Sequence, residues 1–284
     1  MLKRLHSFLN TRSDRAFITS GYIVCVLYAL AVLLPLYYII ISSFKDTNAI
    51  YSSPLGLPES FGFEKYAKAI QIGGLWRALG FSVYITIGAE ILTLLLAFPA
   101  AYAIARIPVR MASYAELLFG AGLLIPIFAM LVPVFLTMAS LDLLYSPLSL
   151  ILFYPATRLS ASVLLLASYL REIPREMEES AVIDGASRLQ IGLKIFLPLV
   201  RTGIATVIII NFFSIWNEFL FALILLNTRT RTVQVALSTL RGEYMSDYGM
   251  IAAAVVISAV PVYLVFLFFQ ERIVEGLTSG AVKG

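Results

Sequence analysis

Cysteine and histidine are almost missing from this 284-residue chain, in which Cys25 and His6 stand alone. One thiol can form neither an intrachain disulfide nor a thiolate metal cluster, and no cofactor or metal is expected on the chain itself. Charge is scarce too. Only 13% of residues are charged against 60% apolar, and the mean hydropathy of +0.89 excludes a soluble globular domain. There is no G-x-x-x-x-G-K-[ST] phosphate loop, so ATP hydrolysis by that route is excluded. No long apolar run holds a histidine or a pair of aspartates, which leaves an intramembrane protease or lipid transferase without its catalytic set.

What the chain does have is length of apolar sequence. Crossing a hydrocarbon core of about 30 Å takes roughly 20 residues, and six runs suffice, at about 19–42, 78–104, 117–140, 147–170, 201–226 and 249–270. The expected fold class is an all-α polytopic membrane protein with six transmembrane helices: an N-terminal segment 1–18, a membrane domain 19–272 and a tail 273–284. The first run is too long for a signal-peptide core and is followed by no small-residue cleavage site, so it is expected to remain as a helix.

Lys and Arg set the orientation, since short loops rich in them stay cytoplasmic. Lys3, Arg4, Arg12, Arg15, Arg106, Arg110, Arg171, Arg175, Arg188, Lys194, Arg201, Arg272 and Lys283 fall on one side, and a smaller set falls on the other. Both termini are therefore expected in the cytoplasm. The net charge of +4 is spread along membrane edges rather than gathered in a patch, so no nucleic-acid partner is expected. Of the outer loops, 43–77 contains "YSSPLGLPES" and reads as an irregular turn region. Loop 227–248 has room for a short helix against the membrane face.

On the cytoplasmic side, "IPREMEESAVIDGAS" (173–187) reads as a short helix. Pro174 suits its first turn, Glu176, Glu178 and Glu179 favour its positive end, and Gly185 suits a left-handed stop after Asp184. Ser187 is placed to cap a second short helix, and Pro198 marks entry to the next span. Ile173, Met177, Ser180 and Ala181 share one helical face, with Glu172, Glu176 and Glu179 on the neighbouring one. The small residues at 180, 181, 185 and 186 would let another backbone approach, so the segment is a docking knob in outline. The alternative, an amphipathic loop resting on lipid, sits poorly with its glutamates.

The pattern Glu179-Ser180-Ala181, Asp184-Gly185, Ile195, Leu197-Pro198 resembles the EAA loop of ABC importer permeases, E-A-A, three residues, G, nine residues, I-x-L-P. Ser180 replaces the middle alanine, and serine is small enough to preserve close approach. "LREIPREMEESAVIDGAS", "WNEFLFALILL" and "VEGLTSGAVKG" are similar to the carbohydrate-uptake branch, near the second permease of the maltose system, and the likeness spans about residues 15–284.

The resemblance implies a type I importer permease fold in a bacterial or archaeal plasma (inner) membrane, carrying a sugar or oligosaccharide of the maltose/trehalose kind. It further implies a sister permease completing a heterodimer, a cytoplasmic ABC ATPase dimer that holds ATP and Mg, and an extracytoplasmic sugar-binding protein. The loop would sit in a groove on the ATPase, with Glu179 paired to a basic residue and Gly185 allowing the bend. The C-terminal tail reads as flexible, and in the family it reaches the ATPase interface. Glycerol phosphate or another polar solute is the alternative cargo, weakened by the lack of an arginine cluster in the spans.

Polar groups at membrane depth face a cavity or a partner. Ser82, Thr86, Glu90 and Thr93 form a stripe on the second span, read as lining the translocation path or the sister permease, or alternatively as a structural hydrogen bond inside the bundle. Asn211, Ser214 and Glu218 share a face of the fifth span, with Trp216 and Asn217 turned away, and this region is a candidate for touching cargo. Trp216 reads equally as packing or as an interfacial anchor. Arg158 follows Pro155, which is expected to break the fourth span. Glu90 and Glu218 are its alternative partners, and a site nearer the outer surface is a third option. A secondary transporter using Glu90 or Glu218 as a proton carrier would explain the carboxylates but leave the cytoplasmic island without purpose.

Overall fold

The computed structural model describes residues 12–106, 108–243 and 247–281, with side chains described between Ile18 and Gln270 apart from 107, 109 and 243–246. Among them every regular element is helical. In chain order these are α1 (Arg12–Ser42), α2 (Thr47–Ser52), α3 (Glu64–Gln71), α4 (Leu75–Arg106), α5 (Val109–Leu123), α6 (Leu131–Ser140), α7 (Pro147–Arg171) and α8 (Glu176–Ile183). There follow α9 (Arg188–Gln190), a π-helical segment (Ile191–Phe196), α10 (Leu197–Leu199), α11 (Arg201–Trp216), α12 (Leu220–Leu225), α13 (Val233–Glu243) and α14 (Tyr248–Ala281).

Four of these helices are each long and apolar enough to cross a membrane, and two bent pairs bring the number to six. The structure changes the detail of the expected spans. The third is broken at 124–126, where its halves meet at 80°. Pro126 lacks a donor and pushes Ile125 out of helical geometry, so the run cannot stay straight. The fourth is not broken, because α7 runs through Pro155 with the proline buried. The fifth ends at Trp216 rather than 226 and is joined to Arg188–Leu199 at 74°. The tail expected to be flexible is helical to Ala281, and residues 282–284, like 1–11, lie outside the described residues.

The chain divides into two compact units. The larger, 71–242 with 258–284, is built on α4 and α7. The buried residues of α4 include Ala78, Ser82, Ile85, Ala89, Thr93, Ala97, Ala101 and Ala105, a repeat of three or four positions that marks one face of a helix. Alanine dominates that face because close helix approach substitutes in lipid for the hydrophobic drive available in water. Val163, Leu166, Ala167 and Leu170 of α7 pack on it and, with Ile191, Phe196 and Val207, form one core. A second core gathers Ile85, Phe153, Tyr154, Ile215 and Phe221.

The smaller unit, 1–70 with 243–257, contains α1, which exposes Tyr22, Leu27, Leu30 and Leu33. Its outer loop is less irregular than expected, because α2 and α3 form within it, while 53–63 stays non-helical. Lys65 pins these pieces: its ammonium lies 2.6 Å from Asp46 and 3.1 Å from Asp247. Lys45, 4% exposed, donates to the carbonyls of Ser53, at 2.9 Å, and of Gly56. A Cβ at position 249 would collide with the Lys45 carbonyl, so only glycine fits there.

The hydrogen bond from Lys65, and then its charge, hold the Asp46 carboxyl below its ordinary 3.8. Lys65 is raised above 10.5 because its two aspartates outweigh the opposing effect of burial. A depressed carboxylate stabilises above its unfolded pKa and loses that contribution as pH falls through its folded value. A raised ammonium does the reverse at high pH. The near-ultraviolet circular dichroism of the Phe44–Phe61–Phe63–Tyr66 cluster should therefore stay flat from about pH 4.5 to about pH 10 and decline below about pH 4. Asp46→Asn should flatten the acid limb, and an acid limb unchanged in that variant would contradict the role of this pair.

Candidate functional site

The loop between α7 and α11 is built from recognisable stops. Helix α8 starts with Arg175 as its N-cap and Glu176, Glu178 and Glu179 in its first turn. Pro174 lies just ahead of the cap rather than inside the first turn as expected. At the other end Gly185 has φ +81°. Its N–H donates to Val182 O at 3.0 Å and that of Ala186 to Ala181 O at 2.9 Å, the two bonds of a Schellman stop. Ser187 then begins α9 with a reciprocal box: its hydroxyl accepts from Gln190 N at 3.3 Å, and its own N–H donates to the Gln190 side chain at 2.8 Å.

Within this frame Glu179, Asp184 and Gly185 are exposed, as are Ser180 and Pro198, while Ile195 and Leu197 are half-buried. Ser180 donates back to Glu176 O at 2.7 Å. Ala181 is turned inward at 8% exposure, so its small size serves packing within the chain rather than approach by another backbone. The exposed apolar surface of the loop lies elsewhere, on Val182, Ile183, Leu189 and Leu193, with Ile183 85% exposed. Val182 and Ile183 fill the gap inside the quoted motif, which is why the motif did not point to them.

The three glutamates also divide. Glu178 faces inward, accepting from Tyr102 OH at 3.0 Å and lying 3.0 Å from Arg106 Nε. Sequence reasoning treated it as one more charge at the helix start. Its inward position follows from α-helical spacing to the buried Ala181, three residues on.

At membrane depth the structure corrects the expected faces. Ser82, Thr86, Glu90 and Thr93 do share one face, but all are at most 8% exposed and turn into the chain. Ser82 accepts from Val233 N at 2.8 Å, and Thr93 donates to Ala89 O at 2.7 Å. Glu90 Oε1 accepts from Asn211 at 3.4 Å, and Asn211 also donates to Ser162 at 3.2 Å. Through these bonds the stripe ties α4 to α11, and α11 to α7.

Glu218 does not share a continuous face with Asn211 and Ser214, because α11 ends two residues before it. Its Oε1 accepts from Phe221 N at 2.9 Å, and its Oε2 accepts from Ala222 N at 3.1 Å and from Tyr154 OH at 2.7 Å. Glu218 therefore caps α12, whose first backbone donors have no partner within the helix. The signal was present in Asn217-Glu218, two helix-ending polar residues within an apolar run.

Trp216 is 2% exposed, donates to Ser258 O at 3.3 Å and stacks on Phe212, so it is packing. Asn217 is exposed, donates to Phe213 O at 2.9 Å and accepts from Gln234 at 3.3 Å. Arg158 is half-buried, and its Nε lacks a hydrogen-bond partner among the described residues. Tyr154, one helical turn before Arg158, donates to Glu218 at 2.7 Å, so of the two carboxylates considered Glu218 is the one tied to that face of α7.

Residues 94–279 match the family model for the binding-protein-dependent transport system inner membrane component. Among curated relatives, the diacetylchitobiose uptake system permease protein NgcG of Streptomyces coelicolor is 35% identical over 95% of this chain and 91% of its own. The sulfoquinovosyl glycerol transport system permease protein SmoH of Agrobacterium fabrum is 34% identical, over 89% of each chain. The trehalose transport system permease protein SugB of Mycobacterium tuberculosis is 35% identical over 89% of this chain and 93% of its own. A crystal structure of a bacterial ABC transporter involved in import of the acidic polysaccharide alginate superposes with TM-score 0.81 at 23% identity, covering 92% of this chain and 98% of that one. That likeness shows the type I importer permease fold.

Glu218→Ala leaves two backbone donors and a phenol without their acceptor, and charged hydrogen bonds contribute about 1.5–3 kcal/mol each. It should lower stability by about 2 kcal/mol, read as a clear fall in the thermal midpoint in detergent. Glu218→Gln, which keeps one oxygen, should fall less. An unchanged midpoint for the alanine variant would remove the capping role.

Proposed function

The chain belongs to the family of binding-protein-dependent transport system inner membrane components, and on that premise we propose that it is the permease subunit of an ATP-driven importer of a sugar or oligosaccharide. The observation that carries this reading is the cytoplasmic loop: Glu179 and the apolar Val182, Ile183 and Leu189 stand exposed around a Gly185 turn held by capping on both sides. A loop that rigid and that apolar, beyond the ends of the spans, fits the groove of a protein partner. Its glutamates suit a basic surface there rather than an anionic lipid surface.

In this reading the partner is an ABC ATPase dimer, which binds ATP and Mg and draws the loops of two permeases together on closing. A sister permease completes the pathway, and the bare apolar flank of α1 suits lipid or that subunit. An extracytoplasmic binding protein delivers cargo. The chain lies in a bacterial or archaeal plasma membrane with both termini inside. Cargo is an oligosaccharide of the maltose/trehalose kind, supported by the carbohydrates named for several relatives. Arg158 and Asn217, with Ser214, are the polar groups best suited to cargo hydroxyls. Glu90 and Glu218 have structural partners within the chain, which disfavours a proton-carrier mechanism.

The tagged chain, pulled from detergent-solubilised native membranes, should bring down an ATPase and a second permease, identified by mass spectrometry. Reproducible recovery of the well-folded chain alone would overturn the reading. Glu179→Lys should leave the protein inserted but cut ATP-driven transport in vesicles to a small fraction of wild type. Gly185→Pro should do the same, because proline cannot adopt φ +81° and lacks the N–H that Val182 accepts. Normal transport by both variants would remove the loop from the coupling path.

A further inference from the structure

Helix α8 is joined to the chain that follows it by a bent path. After it come the left-handed Gly185, a six-residue π-helical segment and the 74° bend into α11. The backbone route from α8 to α11 is therefore indirect. A second route exists through side chains. Tyr102 and Arg106, one helical turn apart on α4, both reach Glu178 of α8. Tyr102 OH donates to Oε1 at 3.0 Å, and Arg106 Nε lies 3.0 Å from Oε2.

Arg106 does more than pair with a carboxylate. Its terminal nitrogens donate to Ile173 O at 3.3 and 3.4 Å, in the turn that enters α8. Its guanidinium carbon lies 4.6 Å from the ring centroid of Phe196, which is fully buried at the end of the π-helical segment. Tyr102 packs on the same ring at 5.4 Å between centroids. The side chains of Arg106 and Glu178 are only 11% and 24% exposed. The Nε–H is not aligned for a hydrogen bond, so the Nε contact is an ion pair held by position. One arginine thereby touches the entry, body and exit of the loop.

We propose that Tyr102, Arg106 and Glu178 form a rigid clamp that transmits movement of the coupling helix α8 directly to the transmembrane helix α4. This rests on the permease reading above and adds positioning residues that the family motif does not contain. Glu178 and Glu179, neighbours in sequence, have opposite duties: Glu178 grips the membrane helix and Glu179 is left for the partner. Because α4 is packed along α7 and tied to α11 through Glu90 and Asn211, movement of its cytoplasmic end carries the bundle with it. Planar, stacked recognition of this kind belongs to arginine rather than lysine.

The test uses the full chain in lipid nanodiscs, with Glu178→Gln and Arg106→Lys as the variants. Hydrogen exchange of the amides in 176–183 should be about tenfold faster in Glu178→Gln, and faster also in Arg106→Lys, which keeps the charge but loses the planar contacts with Ile173 O and Phe196. In the assembled complex Glu178→Gln should co-purify with the ATPase as wild type does, yet transport about tenfold more slowly. Exchange in 176–183 that is unchanged in Glu178→Gln overturns the clamp, whether or not any ATPase is found. Faster exchange with normal transport also overturns it, by showing that the contact orders the loop without transmitting anything. Failure of the wild-type chain to recover an ATPase overturns the permease reading instead, and is read separately.

Discussion

An apolar solvent offers a backbone nothing to bond with, and the larger unit of this chain is organised around that constraint. At two places where helices begin, a side chain takes up the backbone groups set free. Glu218 does so most visibly: its two oxygens accept two backbone N–H groups of α12 and the hydroxyl of Tyr154. Ser82 accepts from Val233 N where α13 begins. These bonds are worth more as prevented losses than as gains, since an unsatisfied donor in hydrocarbon costs several kcal/mol. Polar residues at membrane depth are therefore first a record of where helices end.

The same constraint decides which parts can move. Between these ties the α4 face is alanine-rich, which brings α7 close and leaves little room for sliding. Asn211 joins Glu90 of α4 and Ser162 of α7 to its own helix α11, so three helices share one buried knot. The loop between α7 and α11 is fixed instead by local bonds, the Schellman pair at Gly185 and the capping box at Ser187.

Much of this was legible in the sequence. Six spans follow from run length, and the turn at Gly185 and the cap at Ser187 follow from local chemistry that needs no tertiary partner. The errors have one origin, which is that local rules were applied where packing overrides them. Pro155 was expected to break a span, but its ring is buried and α7 continues. Spacing alone puts Glu218 on one helical face with Asn211 and Ser214, although it lies beyond the end of the helix. The stripe on α4 was placed correctly on one face, and only its neighbours reveal which way that face points. Glu178 and Tyr102 meet across 76 positions, and no periodicity reports a contact of that range.

Adjacent residues on an α-helix point about 100° apart, and α8 is short enough for that angle to matter. With Ala181 inward, Glu178 is carried to the same inner side, and Glu179 is necessarily turned toward solvent. A helix of eight residues is too short to be stable by itself, so its direction is fixed by what holds it. Arg106 and Tyr102 hold one side, and the Schellman and capping-box bonds fix its exit. The outward set, Glu179 with Val182 and Ile183, is thereby presented in one fixed orientation. An interface so preorganised loses little entropy on docking, and force applied to it has few internal degrees of freedom in which to dissipate before it reaches α4.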